Sequence, residues 1–183
     1  LLVAQFNLQS QFLALIESEI EFSRKDLPAH ITIKMNNLEE QGLISKLYEA
    51  SQAGVKISLI IRSICCLVPG VKGMSENITI HRIVDRYLEH GRAFIFNNNG
   101  DKEVFLGSAD WMNRNIYRRV EVCFPIFDKE IKKQLKAIVD LLLRDNIQAV
   151  QLDENLQNVK IKTTDPAIHA QQEIYKMLSS EYR

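Results

Sequence analysis

The stretch HITIKMNNLEEQGLISKLYEASQAGVKISLIIR, residues 30–62, decides the fold class. HITIKMN (30–36) follows Pro28 and reads as a short strand. In LEEQGLISKLYEASQAG (38–54) the apolar positions Leu43, Leu47 and Ala50 recur at helical spacing, and Gly54 supplies the C-terminal stop. VKISLIIR (55–62) is apolar on both faces, as a central parallel strand covered by helices would be. Strand, helix and strand in that order imply a right-handed crossover and a parallel pair. The fold class is α/β.

Towards the N-terminus, residues 8–25 place Phe12, Leu15, Ile16 and Ile20 on one helical stripe, with Glu17, Glu19 and Glu21 between them. Towards the C-terminus, SICCLVPGVKGMSEN (63–77) is a loop rich in Gly, Pro and Ser. A strand over 78–84 and a helical turn over 85–89 follow it. RAFIF (92–96) and EVFLGS (103–108) form a hairpin, because the intervening NNNGD carries an Asn-Gly turn signal. RRVEVCFPIF (118–127) alternates as a further strand. DKEIKKQLKAIVDLLLRDN (128–146) is a long amphipathic helix, with Asp128 as N-cap and acidic residues in its first turn. Asp165-Pro166 opens a last helix over 166–180. With no internal repeat or clear linker, residues 1–183 are expected to form a single domain.

The totals exclude several functions. Of the 183 residues 46% are hydrophobic, which supports an ordinary core, and the formal net charge is zero. No global basic field draws the chain to nucleic acid or an anionic membrane, so any anion site is local. No apolar run reaches the roughly 18–20 residues of a membrane span. The start, LLVAQFNLQSQF, has neither an initiator Met nor a signal-peptide n-region, and predicts the interior of a longer protein. Cys65 and Cys66 are adjacent and Cys123 stands alone, an odd count that suits a reduced, intracellular compartment with thiols packed as small hydrophobes. No metal site is expected.

Candidate chemistry gathers at strand ends. Arg62 closes the central strand, and open α/β sheets bind ligands beyond such carboxyl ends. An arginine there offers a bidentate fork to phosphate, or pairs with a nearby carboxylate. His90 and Arg92 share a strand face about 7 Å apart and can grip one anionic group, or form an ordinary polar strand end. GSAD (107–110) ends the hairpin with a small turn suited to an anion, in which Asp110 orients His90 or caps the next helix. Arg114, Arg118 and Arg119 make a local basic patch, and Lys34 and Asn36 share a strand face pointing to the same crevice. His30, His81 and His169 are read as surface or structural residues.

Gly107-Ser108-Ala109-Asp110 after His90-Gly91-Arg92 resembles a degenerate phospholipase D signature, whose family form is HxK, an Asp, then GSxN. Arg92 stands for the lysine, Asn97 for the aspartate and Asp110 for the asparagine, the spacing is longer, and one copy is present where that superfamily builds a site from two. A closer resemblance covers almost the whole chain. KMNNL, LYEASQAGVKISLIIRSICCLVPGV, SENI, IVDRYLEHGRAFIFNNNGDKEVFLGSADWMNRN and RRVEV are similar to the last catalytic domain of type-1 polyphosphate kinases.

That resemblance implies a phospholipase-D-like mixed sheet flanked by helices, forming the second half of a two-part catalytic core. The upstream domains are not in this chain. It implies an enzyme that reversibly transfers the terminal phosphate of ATP to polyphosphate through a phosphohistidine in the preceding half, with magnesium held mainly there. His90 matches the second-half histidine of the family and Arg62 its nucleotide-phosphate-binding arginine, with Arg92, Ser108 and Asp110 as supports. The fragment alone is expected to be inactive. Expected partners are ATP or ADP, polyphosphate, the preceding domains and, in the full-length protein, further copies; nucleic acid is not one. The expected location is cytoplasmic, either free or peripheral at the inner membrane face. Two rival readings are a phosphodiesterase pairing two His90 residues in a dimer, and a phosphate-binding or assembly module that turns nothing over.

Overall fold

In the computed structural model, which describes residues 1–181, the crossover expected from residues 30–62 is present. After a short β1 (Leu2–Val3) and the helix α1 (Leu8–Arg24), the strand β2 (His30–Met35) leads through α2 (Gln41–Gln52) to β3 (Lys56–Ile61). β2 and β3 pair in parallel, Met35 beside Ile61. β4 (Ile78–Arg82) extends the parallel set from β3. The remaining strands are antiparallel: β5 (Arg92–Phe96), β6 (Glu103–Gly107), β7 (Val122–Pro125) beyond the short α3 (Asn113–Arg118), and, after α4 (Lys129–Arg144), the hairpin β8 (Val150–Leu152) and β9 (Asn158–Lys160). α5 (Ala170–Glu181) closes the described chain. The spatial order is β1-β7-β6-β5-β2-β3-β4-β8-β9, a mixed sheet.

Alternation along each strand sends side chains to two cores. Ile31, Ile33, Phe94 and Phe96 pack with α1 and α2, where Phe12 sits 4.5 Å from Phe94 and 5.3 Å from Trp111 between ring centroids. Ile60, Ala93, Ile95 and Val104 face α4, whose buried stripe includes Val139 and Leu142. β3 is buried on both faces, which accounts for its unbroken apolar sequence.

Several boundaries differ from the sequence reading, each for a local reason. α2 begins at Gln41, not at residue 38, because the Glu40 side chain accepts the Leu43 N–H at 2.7 Å and caps it. Residues 85–89 form no helical turn but a loop with a bend at 86–87; the buried Gln171 holds it, accepting the Tyr87 N–H and donating to the Tyr87 carbonyl. The expected strand 118–127 shrinks to β7, since its first residue completes α3. α5 starts at Ala170 because Asp145, at the end of α4, accepts the Ala170 N–H at 2.7 Å. Cys66 is exposed, unlike the small buried hydrophobe expected, whereas Cys123 is buried and its thiol is pushed up to about 12, chiefly by burial.

Gly107 owes its identity to packing. A Cβ there would lie 2.1 Å from Cys123 Sγ and 2.7 Å from the Val122 carbonyl oxygen on β7. Backbone cannot yield as a flexible side chain does, so Gly107→Ala is expected to destabilise the domain by about 2–3 kcal/mol through overpacking. Denaturant unfolding measures this, and an unchanged midpoint would refute the packing account.

Candidate active site

The strand registers carry the sequence-read candidates to one edge of the sheet. Arg62 follows the carboxyl end of β3, and Asn36 and Asn37 follow that of β2. β5 runs the other way, so its first residue, Arg92, lies at this same edge, and it pairs with Gly107 at the end of β6. Asp110 follows within the turn. This is the carboxyl edge of the parallel strands, where α/β sheets place ligands.

Asp110 anchors the edge. Its buried carboxylate accepts from Arg92 Nε at 3.1 Å and Nη2 at 3.3 Å, from the Asn36 N–H at 2.9 Å and from Asn37 Nδ2 at 2.8 Å. Burial alone would raise the Asp110 carboxyl, but the donated hydrogen bonds of Arg92, Asn37 and Asn36, with the Arg92 charge, hold it below the ordinary value. Asp110 does not accept a ring N–H from His90, as the sequence reading had it. The link is indirect, through Arg92.

Arg92 Nη1 lies 2.9 Å from His90 Nδ1 and donates to the His90 carbonyl at 2.8 Å; Nη2 lies 3.4 Å from His90 Nε2. A guanidinium only donates, so the nearer ring nitrogen, Nδ1, is the one placed to accept from Arg92, which leaves Nε2 as the ring's donor position. His90 itself is exposed and precedes β5, so it is held by these contacts and not by strand geometry.

The loop that presents His90 is gripped from below. Arg62 Nη1 donates to the Glu89 carbonyl at 3.2 Å, leaving its other N–H groups without a partner among the described residues. Lys34 Nζ donates to the Gly91 carbonyl at 3.0 Å and lies 3.5 Å from the Glu89 carboxylate. Burial lowers the Lys34 ammonium, Glu89 opposes this, and the charges of Arg62 and Arg92 lower it further. Gln171 Nε2 reaches the other Glu89 oxygen at 3.2 Å. The sequence reading placed Lys34 towards this crevice but missed Glu89 and Gln171, which carry no local motif.

Other candidates stand apart. Ser108 Oγ donates to Glu121 at 2.5 Å and accepts the Val122 N–H at 3.2 Å, so it ties the hairpin to β7 and makes no contact with His90 or Arg92. Asn36 bonds to Asp110 through both its backbone N–H and its side-chain amide. Arg114, Arg118 and Arg119 are exposed on and beside α3 without an ion pair among the described residues. No group of three or more His, Cys, Asp or Glu side chains among the described residues is arranged to hold a metal. At the site the half-buried Glu89 is the carboxylate beside His90, and it is already engaged by Lys34 and Gln171, so these residues do not fit a magnesium ion.

Residues 1–172 match the family model described as polyphosphate kinase C-terminal domain 2. The chain belongs to the polyphosphate kinase family. It is 50% identical over 146 residues to a polyphosphate kinase of Bacillus anthracis, covering 80% of this chain and 21% of that protein. Against the Escherichia coli K12 polyphosphate kinase the identity is 41% over 181 residues, 98% of this chain and 26% of that one. The chain thus spans about a fifth to a quarter of the length of the curated polyphosphate kinases it matches. The crystal structure of polyphosphate kinase from Porphyromonas gingivalis superposes with a TM-score of 0.95 at 42% identity, over 98% of this chain and 28% of that one. Nuc from Salmonella typhimurium, a phospholipase D family member, shares the fold with a TM-score of 0.57 at 12% identity, covering 87% of this chain and 97% of its own. The mixed, phospholipase-D-like sheet expected from the sequence is thereby found. No helix among the described residues is long and apolar enough to cross a membrane.

Proposed function

We propose that this polyphosphate kinase domain is one wall of a two-part active site that moves the terminal phosphate of ATP reversibly onto polyphosphate. The observation that carries the reading is His90, exposed at the carboxyl edge with Arg62, Lys34 and Arg92 all bonded to the backbone of residues 89–91. A phosphoryl group in transfer spreads charge over its oxygens, and catalysis consists mostly of positioning and charge stabilisation.

The opposite wall would come from the preceding half of the catalytic core, outside this chain. There a histidine attacks the terminal phosphorus of ATP. The bond between that phosphorus and the bridging oxygen of ADP breaks, and a nitrogen–phosphorus bond forms. The terminal oxygen of polyphosphate then attacks the same phosphorus, the nitrogen–phosphorus bond breaks, and the chain is one phosphate longer. His90 donates its Nε2 proton or hydrogen bond to the transferring group and is not the covalent carrier. Arg62 offers its unengaged N–H groups to phosphate oxygens. Arg92 holds the His90 ring and Asp110 holds Arg92. Ser108 serves through the hairpin's fixed position. Magnesium, when bound, supplies charge neutralisation from the other wall.

An uncovered apolar rim supports a facing partner. Val84, Tyr87 and Leu88 beside His90, and Ile64 beyond Arg62, are 70%, 55%, 78% and 50% exposed. We place the enzyme in the cytoplasm, as an oligomer in its full-length form.

Arg62→Ala in the full-length enzyme tests the phosphate clamp. Losing one charge-assisted hydrogen bond of about 1.5–3 kcal/mol is expected to weaken ATP binding by roughly tenfold to a hundredfold. Unchanged ATP affinity measured by titration calorimetry would remove Arg62 from the site.

A further inference from the structure

At the opposite end of β5 from His90, a groove of about 520 Å³ opens between α4 and the β5–β6 turn. It is lined by Lys102, Lys129, Lys132, Lys133 and Lys136, with Asp101 as the acidic lining residue. We propose that this groove is a second binding site, for the polyphosphate chain itself, holding phosphates already incorporated while the growing end lies at His90. That identity of ligand rests on the function proposed above; the anion-binding character of the groove does not.

Helical spacing builds the groove's wall. Lys129, Lys132, Lys133 and Lys136 stand at i, i+3, i+4 and i+7 of α4, one flank of the helix beside the buried stripe of Val139 and Leu142. Lys136 pairs with Asp140. Lys102, Lys129, Lys132 and Lys133 have no acidic side chain within ion-pair distance among the described residues, and Lys132 Nζ donates instead to the Lys102 carbonyl at 2.7 Å. Like charges at these spacings repel and destabilise a helix, so the flank awaits a counter-charge. The chain's net charge of zero makes this a local concentration of lysine, not a share of a general excess.

A neighbouring group registers the field. His30 lines an adjoining cavity of about 140 Å³ with Lys102 and Lys136. Burial lowers its imidazole, and the charges of Lys56, Lys136 and Lys102 lower it further, with Asp140 opposing. The charged lining of that cavity is two lysines against one aspartate, Asp140.

Geometry selects the kind of anion. The groove and His90 are separated by the length of β5, roughly 15–20 Å at the rise of a strand. A short anion reaches one site or the other; only a linear polyanion reaches both, and the two attachments then reinforce each other through effective concentration.

The test uses the full-length enzyme and binding in the absence of turnover. Lys102, Lys129, Lys132 and Lys133 are all changed to Gln, and affinity is measured for long-chain polyphosphate, tripolyphosphate and ATP. The expected result is about a tenfold or greater loss for long chains. The slope of log affinity against log salt should fall by roughly 0.7 for each lysine removed. Tripolyphosphate and ATP binding should stay as in wild type. The four Lys→Arg changes, which keep the charge, should retain long-chain binding, separating the charge from a folding defect. Equal losses for long and short chains, or unchanged long-chain binding, would overturn the proposal. So would a lowered melting temperature with unchanged polyphosphate affinity, which would make the groove a contact for another domain. Because binding is read without chemistry, His90 can fail as a catalytic residue while this site stands.

Discussion

Full-length enzyme carrying His90→Ala is expected to lose about a hundredfold or more of its ATP-dependent polyphosphate synthesis, the range of a positioned proton donor. His90 is exposed, so the substitution leaves no cavity in either core. The fold should survive because Arg62 and Lys34 bond to backbone carbonyls of residues 89 and 91, not to the imidazole. ATP affinity should change less than turnover, since a group that acts mainly on the transferring phosphate supplies its stabilisation at the transition state. His90→Gln keeps a donor without a titratable proton. A rate for Gln well above that for Ala assigns His90 a hydrogen-bonding role, and equal rates assign it proton transfer. Turnover within a few-fold of wild type for His90→Ala would make this wall scaffold and remove the reading built on it.

The fold was legible where periodicity is local. β2, α2 and β3 declared themselves because their apolar spacing switches from two to helical and back within a single stretch, and β3 carries no polar face to confuse the reading. What escaped is polar and long-range. Glu19 reads as part of the exposed face of α1, yet it is fully buried and accepts the His30 and Asn98 N–H groups at 2.9 and 2.5 Å, capping two strands at once. Burial raises its carboxyl, and those hydrogen bonds offset part of the rise. Asp145 likewise gathers the Ile147, Gln148, Ala149 and Ala170 N–H groups. No motif marks such residues, since their partners lie on segments far along the chain.

At the site, the residue types were legible and their pairings were not. His90, Arg92 and Asp110 do converge, but Arg92 stands between the other two. Gly107 and Ser108, read as an anion-binding turn, serve the packing of β6 on β7. A motif fixes spacing along one strand, whereas these roles depend on what the neighbouring strand brings opposite.

Arg92→Ala is the second large effect, and it falls on stability. The Arg92 and Asp110 side chains are 10% and 3% exposed, so the substitution strands a carboxylate with no cation and little water. Removing one member of a buried pair destabilises by about 3–5 kcal/mol. Denaturant unfolding followed by Trp111 reads this directly, since Trp111 is the chain's single tryptophan, is fully buried and adjoins Asp110. The pH dependence separates an electrostatic origin from lost packing. In wild type the Asp110 carboxyl is held below its ordinary value, so its contribution is present above about pH 4 and is lost as pH falls through its lower folded value. Without Arg92, burial dominates and the carboxyl rises, so the variant sheds its unpaired charge by taking up a proton in mild acid. The difference between wild type and Arg92→Ala should therefore be largest at pH 7 and shrink below about pH 4. Adding Asp110→Asn should restore part of the loss at pH 7, because the amide needs no cation and still accepts from Asn36 and Asn37. A deficit independent of pH and untouched by Asp110→Asn would mean that Arg92 acts through its packed stem alone.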